Sequence, residues 1–289
     1  PVSTVWRISR AALWLAAVGM TIFALARPVW GVDVNVIETQ GAAVMIALDV
    51  SSSMNVQDML PSRLDRAKLS ARALVDRLRG NEVGLILFAG AAVVQFPLTT
   101  DVTSAATFIN AASSAAITRQ GTNIGAALAL AQQSFDRRRS VRQHVILLSD
   151  GENFEGDPTS AIEAAAQAGI TIYTIGYGST QGEPVPVLDA AGNVVNFRAA
   201  PSGDVVLSVL DEATLQAAAN RTGGLYRHAA ADGSEISDIV DVIQQQAASP
   251  LESRSQSRGV ERAGIFVALA LLALSLEMLL PETGQKAAA

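Results

Sequence analysis

The chain contains 289 residues with a formal net charge of −6 and no cysteine, and 49% of its residues are hydrophobic. The charge and the lack of a basic stripe argue against nucleic acid as a partner, and the lack of cysteine excludes disulfides, thiolate catalysis and cysteine-type zinc sites. The length could hold one large domain or two small ones, and the composition, rich in small and branched aliphatic residues, suits an α/β protein.

The N-terminal segment is apolar from Ala11 to Ala26, between Arg10 and Arg27. A cleavable signal peptide ending near residues 24–26 is one interpretation. The other is a membrane anchor in residues 1–31. We favour the anchor because a second apolar stretch lies near the end of the chain.

Stretches typical of strands and helices alternate through the middle of the chain. Residues 32–248 are therefore predicted to form a Rossmann-like, doubly wound α/β domain, with a mostly parallel sheet and helices on both faces. Pro97 is expected to end the third strand. Residues 180–202 interrupt the alternation with three prolines and are predicted to be an inserted surface loop. The predicted strands are Ala42–Leu48, Glu82–Phe88, Ala92–Phe96, His144–Ser149, Ile170–Ile175 and Gly224–His228.

The C-terminal region changes character twice. Residues 249–262 are polar and are predicted to be a linker. Residues 263–281 are apolar and predict a transmembrane helix, with a short tail at 282–289. Glu277 lies near the end of this helix, where its carboxylate can reach the headgroup region. Because a signal peptide does not occur at a C-terminus, this is the stronger of the two membrane predictions.

Oxygen-bearing side chains follow three separate elements. Asp49, Ser51 and Ser53 come directly after the first strand, Asp150 comes directly after the fourth, and Thr122 lies in a turn before a helix. We expect these side chains to converge, because the carboxyl ends of parallel strands share one edge of a sheet. Carboxylate and hydroxyl oxygens suit Mg²⁺, Mn²⁺ or Ca²⁺ and suit zinc poorly. A serine-rich turn capped by Asp49 is the alternative for the first motif.

These motifs resemble a known family. Asp-x-Ser-x-Ser, a later Gly-Thr-Asn and a still later Ser-Asp-Gly are similar to the metal-ion-dependent adhesion site (MIDAS) of von Willebrand factor A (VWA) domains. The resemblance covers about Val44 to Gln246. Finer motifs resemble the bacterial BatA/BatB aerotolerance proteins, and the insert is closer to BatB. These motifs are Ala26-Arg27-Pro28, Phe96-Pro97-Leu98-Thr99, Ile172-Tyr173-Thr174-Ile175-Gly176 and Gly223-Gly224-Leu225-Tyr226.

The resemblance implies a role for each matching residue. Ser51, Ser53 and Thr122 would be hydroxyl ligands of a divalent cation, with Mg²⁺ first and Mn²⁺ or Ca²⁺ as alternatives. Asp49 and Asp150 would bind it directly or through water. An acidic residue of a partner protein would complete the coordination of the ion. The resemblance also implies MoxR-type AAA+ ATPases and other Bat proteins as partners. It implies a bacterial inner membrane with the VWA domain outside the cytoplasm, and a further membrane segment upstream of Pro1.

The leading hypothesis is thus a membrane-tethered, non-enzymatic binding module. A metal-dependent hydrolase or phosphatase is the alternative, although the sequence has no Walker A, Gly-x-Ser-x-Gly or His-Glu-x-x-His motif. A structural membrane protein with an inactive site is a third hypothesis. Asp58, Asp101 and Glu152 lie near the ligand loops in sequence and could support the metal ligands, but capping or solvation is the favoured interpretation. The two histidines, His144 and His228, are expected to be structural.

Overall fold

The computed structural model describes residues 4–34, 41–135, 141–189, 192–248 and 257–279. The helices are α1 (Thr4–Leu25), α2 (Arg63–Arg77), α3 (Val102–Ala111), α4 (Ile124–Ser134), α5 (Thr159–Gln167), α6 (Glu212–Arg221), α7 (Ser234–Ala248) and α8 (Ala263–Leu279). The strands are β1 (Val29–Val34), β2 (Ala42–Asp49), β3 (Glu82–Phe88), β4 (Ala92–Thr99), β5 (Arg142–Ser149), β6 (Thr171–Gly176), β7 (Glu183–Pro184), β8 (Pro186–Leu188), β9 (Val194–Phe197), β10 (Leu207–Ser208), β11 (Tyr226–His228) and β12 (Ser257–Glu261).

The chain divides into two compact units, and the smaller one joins Pro1–Ile37 to Ser253–Ala289. In this terminal unit α1 packs along α8, and β1 pairs with β12 in antiparallel fashion. The strand β12 lies in the segment that the sequence predicted as a polar linker. An ion pair of 2.7 Å joins Arg10 to Glu277, and the rings of Phe23 and Phe266 lie 5.4 Å apart between centroids.

One helix among the described residues is long and apolar enough to cross a membrane. It is α1, in which Ile8–Leu25 has a mean hydropathy of 1.7. Helix α8 is apolar but has only 17 described residues, about 25 Å at 1.5 Å per residue, and this is shorter than a hydrocarbon core of about 30 Å. Among the described residues, α1 is therefore the longer apolar helix, and the transmembrane helix expected at 263–281 stays a prediction.

The larger unit, Glu38–Glu252, contains a six-stranded sheet in the order β11-β6-β5-β2-β3-β4. All neighbouring strands are parallel except β4, which runs antiparallel to β3 at the edge. Strand β2 lies inside the sheet and is buried along its whole length. Burial on both faces explains why its sequence is a continuous apolar run rather than an alternating one.

Helices cover both faces of this sheet, which confirms the predicted doubly wound α/β fold. One core packs α2, α3 and α7 against the sheet, through residues such as Leu74, Ile109 and Ile239. The other packs α4, α5 and α6, through residues such as Leu128 and Leu215. Each helix presents one apolar stripe, so the sheet separates two independent cores.

Strand β4 continues through Pro97 to Thr99, so the expectation that Pro97 ends it is wrong. Proline cannot donate a backbone hydrogen bond, but an edge strand tolerates it because one side of the strand has no partner. The pairing of β3 with β4 shifts register nearby, between Val83 and Leu85.

The segment between β6 and α6 contains four short antiparallel strands. Strand β7 pairs with β10, and β8 pairs with β9 as a hairpin. The last of them, Leu207–Ser208, lies beyond the predicted insert at 180–202. We call residues 179–209 the insert from here on.

Candidate metal centre

The candidate centre lies at the carboxyl edge of the central sheet. Strands β2 and β5 are parallel neighbours there, and Asp49 ends β2 while Asp150 directly follows β5. The chain leaves β2 toward β3 and leaves β5 toward β6, which lie on opposite sides. Such a reversal of strand order opens a crevice, and doubly wound folds place their ligand sites in it.

Asp49 is completely buried and accepts two hydrogen bonds. Its Oδ1 accepts from the backbone N–H of Ser51 at 2.9 Å, and its Oδ2 accepts from Ser149 Oγ at 2.6 Å. The hydroxyl oxygens of Ser51 and Ser53 lie 3.0 Å apart in the same loop. The structure thus brings the first three predicted residues to one place. Ser149 belongs to the Ser-Asp-Gly motif, but nothing in the sequence assigned it a role in the site.

Asp150 is also completely buried, and its two oxygens have different partners. Oδ1 accepts from the backbone N–H of Glu152 at 3.2 Å, whereas Oδ2 accepts from Arg63 Nη1 at 3.3 Å. The next residue, Gly151, has a φ of +79°, and a Cβ there would lie 2.4 Å from the carbonyl oxygen of Asp211. Only glycine therefore fits this turn without a backbone shift.

Thr122 is buried, and its hydroxyl oxygen has no hydrogen-bond partner among the described residues. Its backbone carbonyl accepts from the N–H of Phe154 at 3.1 Å, which ties its turn to the loop of Asp150. Ser52 Oγ donates to Gln120 Oε1 at 2.6 Å, which ties the same turn to the loop of Asp49. The three loops that carry the five predicted residues are thus joined to one another.

The two carboxylates make this edge electrostatically negative. Burial raises the pKa of both Asp49 and Asp150, and repulsion from Asp49 raises the pKa of Asp150 further. The nearby Glu152 raises both pKa values as well, whereas hydrogen bonds from serine hydroxyls and the charge of Arg63 offset part of the shift. A bound cation would stabilise a buried pair of carboxylates that repel each other.

Comparisons with known proteins identify the fold family. A model of the von Willebrand factor type A domain matches residues 44–152. A structure of the protein BatB from Bacteroides thetaiotaomicron is 39% identical with a TM-score of 0.68, and the match covers 72% of this chain and all of that one. The chain belongs to the BatB-like family of VWA proteins.

Two further relatives support this family. The structure of an aerotolerance-related membrane protein from Bacteroides fragilis is 38% identical with a TM-score of 0.67, over 71% of this chain and all of that one. A UPF0353 protein of Mycolicibacterium paratuberculosis is 30% identical over 93% of this chain and 78% of its own length. In two other curated relatives the match spans 61% and 60% of their length.

The donor set of this VWA domain fits a hard divalent cation. Two carboxylates and three hydroxyls are the ligand types that Mg²⁺, Mn²⁺ and Ca²⁺ prefer. Within the described ranges, no three His, Cys, Asp or Glu side chains form a metal-binding group. The predicted set does not need one, because it has only two carboxylates and its other three ligand residues carry hydroxyls. The buried Thr122 hydroxyl without a partner is an open donor of the kind that an ion would satisfy.

The other polar residues singled out in the sequence have distinct surroundings. Asp101 caps α3 by accepting from the N–H groups of Thr103 and Ser104, as expected. Asp58 and Glu152 do more than the predicted capping or solvation. Asp58 pairs with the buried Arg63 at 2.7 Å, and Glu152 accepts from Ser208 at 3.0 Å.

The two histidines contact residues other than Asp49 and Asp150. The ring of His144 is tilted by 56° against that of Tyr173 with centroids 5.6 Å apart, and His228 Nε2 lies 3.0 Å from the carbonyl oxygen of Gly178. Both positions are consistent with the expected structural role.

Proposed function

We propose that this chain is a membrane-anchored VWA module that binds a partner protein through a divalent cation held by Asp49, Ser51, Ser53, Thr122 and Asp150. The observation that carries the proposal is the buried, unpartnered hydroxyl of Thr122 in a turn joined to the loops of two buried carboxylates. An uncompensated polar group of this kind costs stability in a protein that has no ligand for it.

The chemistry of the ligand set favours Mg²⁺, with Mn²⁺ and Ca²⁺ as alternatives. Two carboxylates neutralise a divalent charge, and the three hydroxyls add neutral oxygens. When bound, the ion supplies a Lewis-acidic position that exchanges ligands. An acidic side chain of a partner protein is the natural occupant of that position.

Hydrolysis of a phosphate ester is less favoured than binding. Arg63 is the arginine that contacts Asp150, and its five N–H groups are used by Asp58, Asp150 and Ser208. A guanidinium has five such donors in total, so Arg63 has none left for a phosphate. We therefore propose that the module is not an enzyme.

Calorimetric titration of the full chain in detergent micelles with Mg²⁺ and Mn²⁺ tests the metal site. We expect one binding event that Asp49→Ala and Thr122→Ala both remove, while circular dichroism shows an intact fold. Ser52→Ala is the matched control, because Ser52 lies between the ligand serines but donates to Gln120. Absence of binding to the wild type, or unchanged binding in both variants, would overturn the proposed site.

The finer assignment of partners follows the family. We propose that MoxR-type AAA+ ATPases and other Bat proteins supply the acidic residue, in envelope maintenance or stress tolerance. A purified MoxR-type ATPase should co-elute with the full chain in Mg²⁺, and should not do so in chelator or with Asp49→Ala. Co-elution that is insensitive to the chelator would mean that the contact does not use the ion.

We also propose that the chain resides in the inner membrane with its VWA domain outside the cytoplasm. The support is the apolar α1 and the membrane protein from Bacteroides fragilis among the similar structures. Protease added to intact spheroplasts should cleave the domain. Protection of the domain until the cells are lysed would place it on the other side.

A further inference from the structure

The side chain of Arg63 lies fully buried beside the candidate metal centre. It donates from Nε and Nη2 to the two carboxylate oxygens of Asp58, at 2.9 and 2.7 Å. It donates from Nη1 to Asp150 Oδ2 at 3.3 Å and to Ser208 Oγ at 2.6 Å. A planar guanidinium can hold these three groups in one arrangement, which a point charge such as Lys cannot do.

Both ends of the insert bind to carboxylates of this cluster. At its start, the backbone N–H of Ser179 donates to Asp58 Oδ2 at 2.7 Å. At its end, Ser208 Oγ donates to Glu152 Oε2 at 3.0 Å, and the N–H of Val209 donates to Glu152 Oε1 at 3.0 Å. Glu152 is two residues from Asp150. The insert is therefore attached to the metal loops at both of its ends.

The packing around Arg63 leaves little room for an alternative arrangement. Gly178 directly precedes the insert with a φ of +119°, and a Cβ there would lie 2.5 Å from Arg63 Cζ. Strand β8 of the insert also contacts the turn Ser52–Asn55, which contains Ser53. Asp150 therefore cannot shift without disturbing tightly packed neighbours.

We propose that Arg63 is a positioning residue that couples the metal centre to the insert. This inference rests on the proposed function. Arg63 fixes the position of the Asp150 carboxylate, which would be a ligand of the ion, and through Ser208 and Asp58 it holds both ends of the insert. Occupation of the site therefore steadies the insert. Because coupling between two sites is reciprocal, loosening the insert weakens metal binding by the same factor.

Hydrogen exchange of the full chain in detergent micelles, with and without Mn²⁺, tests the coupling. In the wild type, Mn²⁺ should slow exchange in peptides from the 49–56 loop and also in peptides from the insert. Arg63→Lys and Ser208→Ala should keep the response of the 49–56 loop and lose that of the insert. Ser208→Ala removes a single hydroxyl, so it keeps the test valid if Arg63→Lys does not fold.

Calorimetry with Mn²⁺ supplies a second readout. Arg63→Lys should raise the Kd about 10- to 100-fold, the range seen when groups that orient metal ligands are removed. Arg66→Lys is the matched control, because Arg66 lies in the same helix and donates to the carbonyl oxygen of Ala230 instead. It should bind Mn²⁺ as the wild type does.

Three outcomes of these experiments would contradict the proposals. A wild type that shows no Mn²⁺ response in any peptide overturns the proposed metal function itself. A response in the 49–56 loop without one in the insert leaves that function standing and overturns the coupling. A response of the insert that persists in both Arg63→Lys and Ser208→Ala overturns the role of Arg63.

Discussion

Two buried polar clusters meet at Asp150, and they differ in how completely their groups are paired. The arginine cluster (Arg63, Asp58, Glu152, Ser179 and Ser208) matches every N–H of the guanidinium to an acceptor. Burial opposes the charge of Asp58, but hydrogen bonds and attraction from Arg63 outweigh it and hold its pKa below the usual value.

In the ligand cluster (Asp49, Ser51, Ser53, Thr122 and Asp150), the polar groups are not fully paired. Its two carboxylates have raised pKa values, and the Thr122 hydroxyl has no partner in the described part of the chain. Buried polar groups therefore have two different roles in this domain. A paired cluster maintains the fold, whereas a cluster that costs stability without a ligand indicates a binding site.

Breaking the arginine cluster should have the largest effect. Arg63→Met removes the charge that compensates the nearly buried Asp58 and contacts Asp150, and we expect the 38–252 unit to lose about 3–5 kcal/mol of unfolding free energy. Urea denaturation measures this loss. The double variant Asp58→Asn/Arg63→Met should recover part of it, because no uncompensated charge is left. A loss below about 1 kcal/mol would show that the cluster does not hold the fold.

His144 tests whether an unpartnered buried group must belong to a ligand site. Both ring nitrogens lack partners within the described residues, and burial, with a smaller effect from Arg142, lowers its pKa from 6.5 to about 4. The unfolded chain therefore binds the proton more readily between these values. Stability should fall as the pH drops from 6.5 toward 4, by up to about 3 kcal/mol.

The measurement compares urea denaturation of the 38–252 unit at several pH values with that of His144→Leu. The difference between the two proteins isolates the histidine, because the acidic groups titrate in both. Metal binding at pH 7.5 should be the same in the two. A pH dependence that persists unchanged in His144→Leu would assign it to other groups.

Removing one charge from the ligand cluster should stabilise the metal-free protein. The raised pKa of Asp49 means that its stability cost appears as the pH rises through that pKa, and the cost is fully present at pH 8. Asp49→Asn should therefore gain about 1–2 kcal/mol in chelator at pH 8 and lose Mn²⁺ binding. Urea denaturation and calorimetry measure the two effects, and a loss of stability in chelator would contradict the comparison.

The smallest expected effects on stability come from two buried threonines, Thr122 and Thr174. Thr122→Val removes a hydroxyl without a partner, so the unfolding free energy in chelator should stay the same or rise by up to about 1 kcal/mol. Thr174→Val removes a hydroxyl that donates to the carbonyl oxygen of Leu215 at 3.0 Å, and should cost about 1 kcal/mol. Mn²⁺ affinity should fall only in Thr122→Val. Equal stability losses in the two variants would mean that Thr122 has a partner after all.

Much of the fold follows from local pattern. The continuous apolar run of β2 predicts a strand buried on both faces. The start of α2 is equally local, because the Ser62 hydroxyl accepts from the N–H of Asp65 three residues later. Local pattern gives the wrong structure where pairing with a distant strand determines it. Strand β4 passes through Pro97 because it is an edge strand, and β12 forms in an apparently polar linker because β1 supplies its hydrogen bonds.

The sequence by itself determined the chemistry of the candidate site. The alternation of Asp49, Ser51 and Ser53 after a strand, with Asp150 after another, places oxygens at one edge of the sheet because parallel strands end there together. Only the tertiary structure decided that Arg63 and Ser208, which are 145 residues apart, contact each other at that edge. Local periodicity carries no information about such a contact, since it depends on how the insert folds back onto α2.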